Sequence, residues 1–230
     1  MTSQEFLERL DAIVNERHML QHPFYIMWNN GELSLEMLRE YAHEYYLQVH
    51  NFPRYVSATH SNCDDFEVRQ MLLENLVEEE QGPNNHPELW RRFADSMGIE
   101  RSAIVDRKYL QTTKDSVQIL QDLAGRKNAY EGIAALYAYE SQIPEVSTTK
   151  IAGLKKHYNL DTKDALEFFE VHEHADEIHR TVTREALAKL CQTDNEKESA
   201  LDAAREAADA LNLLLDGVYE NYCSKHLSVA

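Results

Sequence analysis

The sequence predicts an all-α protein, a single helical domain over residues 1–230. Three observations carry this. Apolar residues recur at helical spacing along nearly the whole chain of 230 residues. Seven glycines and five prolines make about half the usual share of chain breakers. No strand-like alternation is long enough to compete, and there is neither an internal repeat nor a low-complexity linker.

Each element can be read in order. Phe6, Leu7, Leu10, Ile13 and Val14 mark a first amphipathic helix, with Thr2 or Ser3 as its cap. His22-Pro23 interrupts the chain. Gly31 and Ser34 open a second, Tyr- and His-rich helix over roughly 34–60. The third passes through Met71-Leu72-Leu73 to the break at Gly82-Pro83, and the fourth carries Leu89, Trp90 and Phe93 as far as Gly98. A shorter element near 113–124 stops at Gly125. The fifth long helix, about 127–143, stops at Pro144, and a short one follows to about His157. The sixth covers about 162–191. The seventh, about 195–223, shows a stripe of Leu201, Ala204, Ala208, Leu211 and Leu215. Seven long helices with short connections give a bundle.

Charge and composition exclude several function classes. The 23 Lys and Arg against 40 Asp and Glu leave a net charge of −17. A surface that acidic repels nucleic acid and anionic lipid, and no basic cluster offsets it, so a nucleic-acid partner is not expected. The longest clean apolar run, Ile133 to Tyr139, is far short of the ~20 residues of a membrane helix. The N-terminus lacks the basic start and apolar core of a signal peptide. Cys63, Cys191 and Cys223 are scattered, with neither disulfide nor metal spacing, which fits a reducing, cytoplasmic setting.

The sharpest chemical feature is His172-x3-Asp176-x2-His179. At 100° per residue the three positions fall at about 0°, 40° and 340°, on one narrow helix face. Two imidazoles and a carboxylate on one stripe are costly to bury unless a metal satisfies them. Glu173, His174, Glu177 and Arg180 are polar too, so a solvated face is the competing reading. Glu140 is the second feature. Its helix-face neighbours are Ile133, Leu136 and Tyr137, so its carboxylate must be neutralised, paired or metal-bound unless the nearby helix end releases it to solvent. The third is Glu78-Glu79-Glu80 followed by His86. Glu79 and His86 are two turns apart only if the helix survives Pro83, and a Glu triplet before Gly-Pro is more often a solvated end. Taken together, Glu79, His86, Glu140, His172, Asp176 and His179 are six oxygen and nitrogen donors from three helical regions. Six such ligands suit two metals. The absence of thiolate favours iron or manganese over structural zinc, and three carboxylates nearly neutralise two divalent ions. The paired Glu-x-x-His motifs of ferritin-like bundles do not occur in the right places.

This donor set resembles that of the haem-oxygenase-like di-metal oxidases, a seven-helix fold shared with pyrroloquinoline-quinone oxidase and thiaminase-type proteins. Asn51-Phe52-Pro53-Arg54-Tyr55-Val56-Ser57-Ala58 and Asn84-Asn85-His86 before Leu89-Trp90 look like the same group. Over roughly 5–225 the chain is most similar to the chlamydial death-domain-associating and para-aminobenzoate synthase subgroup. The resemblance implies an oxygen-dependent dinuclear oxidase, Fe/Fe or Mn/Fe, that needs O2 and a reductant. It implies that the enzyme is its own substrate, turning over about once to form para-aminobenzoate, a folate precursor. The matching positions are Tyr25, as the source of the ring, and Lys150, as the amino donor, with Tyr139 beside Glu140 as a relay. By themselves Tyr25 reads as a core aromatic and Lys150 as a surface lysine. The thiaminase-type nucleophile has no counterpart, since no cysteine lies between Cys63 and Cys191. Helices of this fold often pair, so a homodimer is expected. Two other readings stay open: a di-iron oxygenase acting on an external amine or fatty acid, and a non-catalytic interaction module.

Overall fold

The computed structural model describes residues 1–224, with the side chains of 174–178 excepted. Among the described residues all regular structure is helical. The chain runs through α1 (Ser3–Glu16), a 3-10 turn (Met19–Gln21), α2 (Pro23–Asn30), α3 (Leu35–Ser61), α4 (Phe66–Glu80), α5 (His86–Ser96) and α6 (Arg101–Asp106). It continues through α7 (Gln111–Ala124), α8 (Ala129–Glu140), α9 (Ile143–His157), α10 (Lys163–Leu190) and α11 (Asp194–Val218), and ends in a π-helical turn (Tyr219–Cys223).

The helices start where local chemistry satisfies their first amide groups. Thr2 caps α1 in a capping box with Glu5, and Thr193 does the same for α11 with Glu196. Asp65, Asn85 and Thr162 cap α4, α5 and α10 through their side-chain oxygens.

Among the described residues eleven α-helices replace the seven long and two short elements expected. The two additions are α2 and α6. His22-Pro23 starts a helix instead of merely breaking the chain: the His22 ring accepts the Phe24 amide, and Pro23 occupies the first helical position, where its missing N–H costs nothing. At six residues, α6 is too short to show a period. Pro144 likewise opens α9 just after α8 ends.

α8, whose residues Gly132 to Glu140 are all buried, lies at the centre of the bundle. It packs against α11, α10, α7 and α3. α10 also packs on α9 and α5, and α3 on α4, α5 and α7. This arrangement turns the C-terminal end of α8, the last turn of α4, the start of α5 and the middle of α10 toward one another. Cys63, Cys191 and Cys223 are buried free thiols. No helix among the described residues is long and apolar enough to cross a membrane.

Candidate metal centre

The metal-type side chains meet where four helices converge. Glu79 belongs to the last turn of α4 and His86 is the first residue of α5. The helix does not continue through Pro83. Instead Gly82, with φ +80°, turns the chain, and Asn85 caps α5. The turn brings His86 Nδ1 to 2.8 Å from Glu79 Oε1. His172 on α10 stacks obliquely on His86, with ring centroids 4.2 Å apart. One ligand atom from each of Glu79, His86 and His172 lies within 4.8 Å of the others, and all three residues are buried.

The tautomer of His172 is set locally. Its Nδ1 lies 2.6 Å from the Phe168 carbonyl, so Nδ1–H donates there and the Nε2 lone pair is left for a ligand role. Burial, with His86 beside it, holds the His172 ring well below its ordinary pKa and so neutral, the form that binds metal.

Glu140 does not emerge into solvent at the end of α8 but is buried. Asn75 Nδ2 donates to its Oε1 at 2.6 Å, and His179 Nδ1 is 3.3 Å from the same oxygen. Its Oε2 is buried and has no hydrogen-bond partner among the described residues. A buried carboxylate oxygen left in that state costs several kcal/mol unless a cation meets it. His179 is held from its other side by Glu78, with Nε2 to Oε2 at 3.0 Å. Of the Glu triplet only Glu79 is buried, while Glu78 and Glu80 are exposed. Asp176 falls on α10, and its side chain lies outside the described residues. The structure therefore gathers Glu79, His86 and His172 into one cluster and sets Glu140, paired with His179, on the wall of the cavity that this cluster lines. Two carboxylates and three imidazoles, with no thiolate, fit divalent iron or manganese.

A cavity of about 30 Å³ connects this cluster to a set of aromatic side chains. Glu79, His86, Glu140 and His172 line it together with Tyr45, Tyr139 and Lys150. Phe52, Ile143, Val146, Phe168 and Phe169 close the rest with apolar surface.

Lys150 is 2% exposed, unlike the surface lysine that α9 suggested in isolation. Its Nζ donates to Tyr41 Oη at 2.6 Å. The rings of Tyr25, Tyr41, Tyr45, Trp90 and Phe169 surround it, with centroids 4.9 to 5.6 Å from Nζ. Burial pushes its pKa down to about 7. Tyr25, in the first turn of α2, is fully buried and bonds Tyr41 through the two hydroxyls at 3.2 Å. Tyr139 and Tyr45 share a hydroxyl contact of 2.8 Å, and the rings of Tyr45 and Tyr41 lie 5.3 Å apart. The tyrosines thus form an unbroken path from the cavity, Tyr139 to Tyr45 to Tyr41 to Tyr25. Burial raises the phenols of Tyr25, Tyr41 and Tyr139 well above the usual value, so all three keep their protons at neutral pH. Arg54 does not line the cavity and is exposed, bonded to Asn51.

Nothing in the sequence singles out Tyr41, Tyr45 and Asn75, and Glu78 stands out only as part of a triplet that reads as a solvated helix end. A stripe at Tyr41 and Tyr45 is one turn apart on α3, a pattern as common in any aromatic core. Lys150 did leave a trace: Val146, Lys150, Gly153 and Leu154 share one buried stripe of α9, and a lone lysine in such a stripe needs a reason.

Comparison with known proteins agrees with this architecture. The sequence profile of the TENA/THI-4/PQQC family matches residues 7–221. The chain belongs to the TENA/THI-4/PQQC family. A 4-aminobenzoate synthase of Nitrosomonas europaea is 39% identical, over 97% of this chain and 95% of that protein. A 4-aminobenzoate synthase of Chlamydia muridarum is also 39% identical, over 95% of this chain and 92% of that one. A TenA homologue from Pseudomonas syringae pv. tomato superposes with a TM-score of 0.81 at 15% identity, covering 94% of this chain and 92% of its own. The fold is therefore the haem-oxygenase-like one of TenA-type proteins.

Proposed function

We propose that this family member forms 4-aminobenzoate from its own Tyr25, with Lys150 as the nitrogen donor, about once per chain. The observation that carries the reading is the placement of Lys150. A buried amine with a pKa near 7 lies 5.6 Å from the centre of the Tyr25 ring and lines the same cavity as the metal-type residues. A fully buried lysine with no carboxylate in its hydrogen bonding is costly as a structural element. As a reactant it is well prepared, because about half of it is the free amine at neutral pH. The names of the two relatives at 39% identity support the same product.

Glu79, His86 and His172 would hold one metal ion, and Glu140 and His179 a second, with Asp176 as the remaining expected ligand. Two such ions, Fe/Fe or Mn/Fe, supply oxidation of a phenol by O2 once an external donor has reduced them. The chain's own residues do the rest. The apolar walls around Phe52, Phe168 and Phe169 exclude water from the cavity. Tyr139, on the cavity wall, and Tyr45 connect it to Tyr41 and Tyr25. A buried phenol that is oxidised must lose its proton. Tyr25 Oη passes it to Tyr41 Oη, and Tyr41 to the neutral Lys150 Nζ, along contacts of 3.2 and 2.6 Å. In the net change the Cα–Cβ bond of Tyr25 breaks and leaves a glycyl residue, and Cβ gains oxygen from O2 or water to become the carboxyl carbon. The phenolic oxygen leaves as water, and the Cε–Nζ bond of Lys150 breaks so that Cε is left as an aldehyde, overall a six-electron oxidation. O2 is the electron acceptor. A cavity of about 30 Å³ holds little more than a water or two, which favours an internal ring over an external one.

Tyr41 is a second candidate for the ring, since its hydroxyl is the one bonded to Lys150. The test uses protein grown with ring-labelled tyrosine and ¹⁵N-lysine, loaded with metal, reduced and exposed to O2. Mass spectrometry should find both labels in 4-aminobenzoate without added substrate. Tyr25→Phe should abolish the product. If Tyr25→Phe still makes it and Tyr41→Phe does not, the ring comes from Tyr41. Unlabelled product would mean an external substrate.

A further inference from the structure

α4 contributes Glu79 to the centre, yet two other side chains of the same helix grip ligands that belong to other helices. Asn75 is buried and donates from Nδ2 to Glu140 Oε1 at 2.6 Å. An amide oxygen at that distance would repel a carboxylate, so the orientation of the amide is forced. Glu78 holds His179, with Oε2 3.0 Å from Nε2. Residues 75 and 78 are one turn apart and work on adjacent targets: the Nδ1 of His179 is 3.3 Å from the oxygen that Asn75 fixes.

We propose that Asn75 and Glu78 are positioning residues for the second metal position, the one served by Glu140 and His179. This rests on the dinuclear reading above. Glu78 accepts the Nε2 proton of His179 and leaves Nδ1, the nitrogen on the Glu140 side, as the ligand atom. Asn75 occupies Oε1 of Glu140 and leaves the buried Oε2 for the ion. An outer hydrogen bond that fixes the tautomer and orientation of a ligand is a general requirement of metal sites.

The two positions are built differently. At the first, the Nδ1 proton of His172 goes to a backbone carbonyl, and the residue is buried. At the second, the brace is a side chain about half exposed, in a surface groove between α4 and α10 that Glu74, Glu185 and His179 also line. The second position is therefore the one whose support is open to solvent, and it is the weaker and more exchangeable of the two.

Metal content and affinity test this without recourse to activity. Apo-protein is titrated with Fe²⁺ or Mn²⁺ without O2, and bound metal per chain is counted by mass spectrometry of the ion. Wild type is expected to bind two. Glu78→Ala and Asn75→Ala should keep the first ion and bind the second about 10- to 100-fold more weakly. Glu78→Gln, whose amide oxygen can still accept the Nε2 proton, should recover part of that loss. Circular dichroism of both apo-variants should match wild type. The melt of Glu78→Ala should match it as well, whereas Asn75→Ala, which removes a buried amide bonded to Glu140, should melt lower while keeping the fold. Both alanine variants binding two ions with wild-type affinity would overturn the proposal. A wild type that binds fewer than two overturns the dinuclear reading itself, a separate and distinguishable failure.

Discussion

At the scale of single residues, Lys150 carries the proposed chemistry. Its folded-state pKa of about 7 lies below that of an unfolded lysine, so between those values the unfolded chain binds the extra proton. Stability should therefore rise as pH increases above about 7 and level off near the ordinary lysine value. Chemical denaturation at pH 7 and pH 9 should show this slope in wild type and its loss in Lys150→Met. The same equilibrium governs the free amine, which is about tenfold more abundant at pH 8 than at pH 6. Product formed per chain in a short single-turnover assay should follow it, and Lys150→Met should form none while keeping its metal. Tyr45 gives a second test. Tyr45→Phe removes the hydroxyl contact with Tyr139 while preserving the packed ring. Rapid-quench assays should find product formation slowed with unchanged metal content, and an unchanged rate would exclude Tyr45 from the path.

At the scale of elements, the pairing of α2 with α9 sets the distance between the proposed ring and its nitrogen. Gly153 makes that approach possible, because a Cβ there would lie 2.4 Å from Trp28 Nε1 on α2. Gly153→Ala must push the two helices apart. The expected cost is about 1–3 kcal/mol in a thermal or urea melt. Product yield should fall as well, since Lys150 and Tyr25 ride on the two displaced helices. The turn between α4 and α5 is equally specific. Gly82, at φ +80°, has open space where a Cβ would go, so Gly82→Ala meets only backbone strain, about 1–2 kcal/mol. The contact between Glu79 and His86 depends on that turn. The six-donor reading found both residues, although Pro83 had removed the helical spacing that would have justified pairing them.

At the scale of the whole molecule, the candidate centre joins the neighbouring helices α4 and α5 to α8 and α10, which lie much further along the chain. Metal binding should therefore stabilise the entire bundle. At a free metal concentration one hundred times the dissociation constant the gain is about 2.7 kcal/mol, or roughly 5–10 °C in melting temperature for a chain of this size. Calorimetry with and without chelator measures it. An unchanged melting temperature would mean that the five described donors hold no ion.

The sequence by itself determined the helical class, the positions of nine of the eleven described helices, and the types of side chain offered to the candidate centre. These properties are local: a period of 3.6 residues, a cap, or a carboxylate on the apolar face of α8 can each be read within a few turns. The same locality explains what it missed. α2 opened at a proline that read as a break, and Lys150 looked like a surface residue because one helix cannot show what its own buried stripe will meet. Only the tertiary structure decided that Lys150 bonds Tyr41, that Tyr45 reaches Tyr139, and that α4 steadies Glu140 and His179 through Asn75 and Glu78. Each of these contacts joins helices distant in sequence. Helix periodicity states which face is buried, whereas the partner across that face is chosen by how the helices pack.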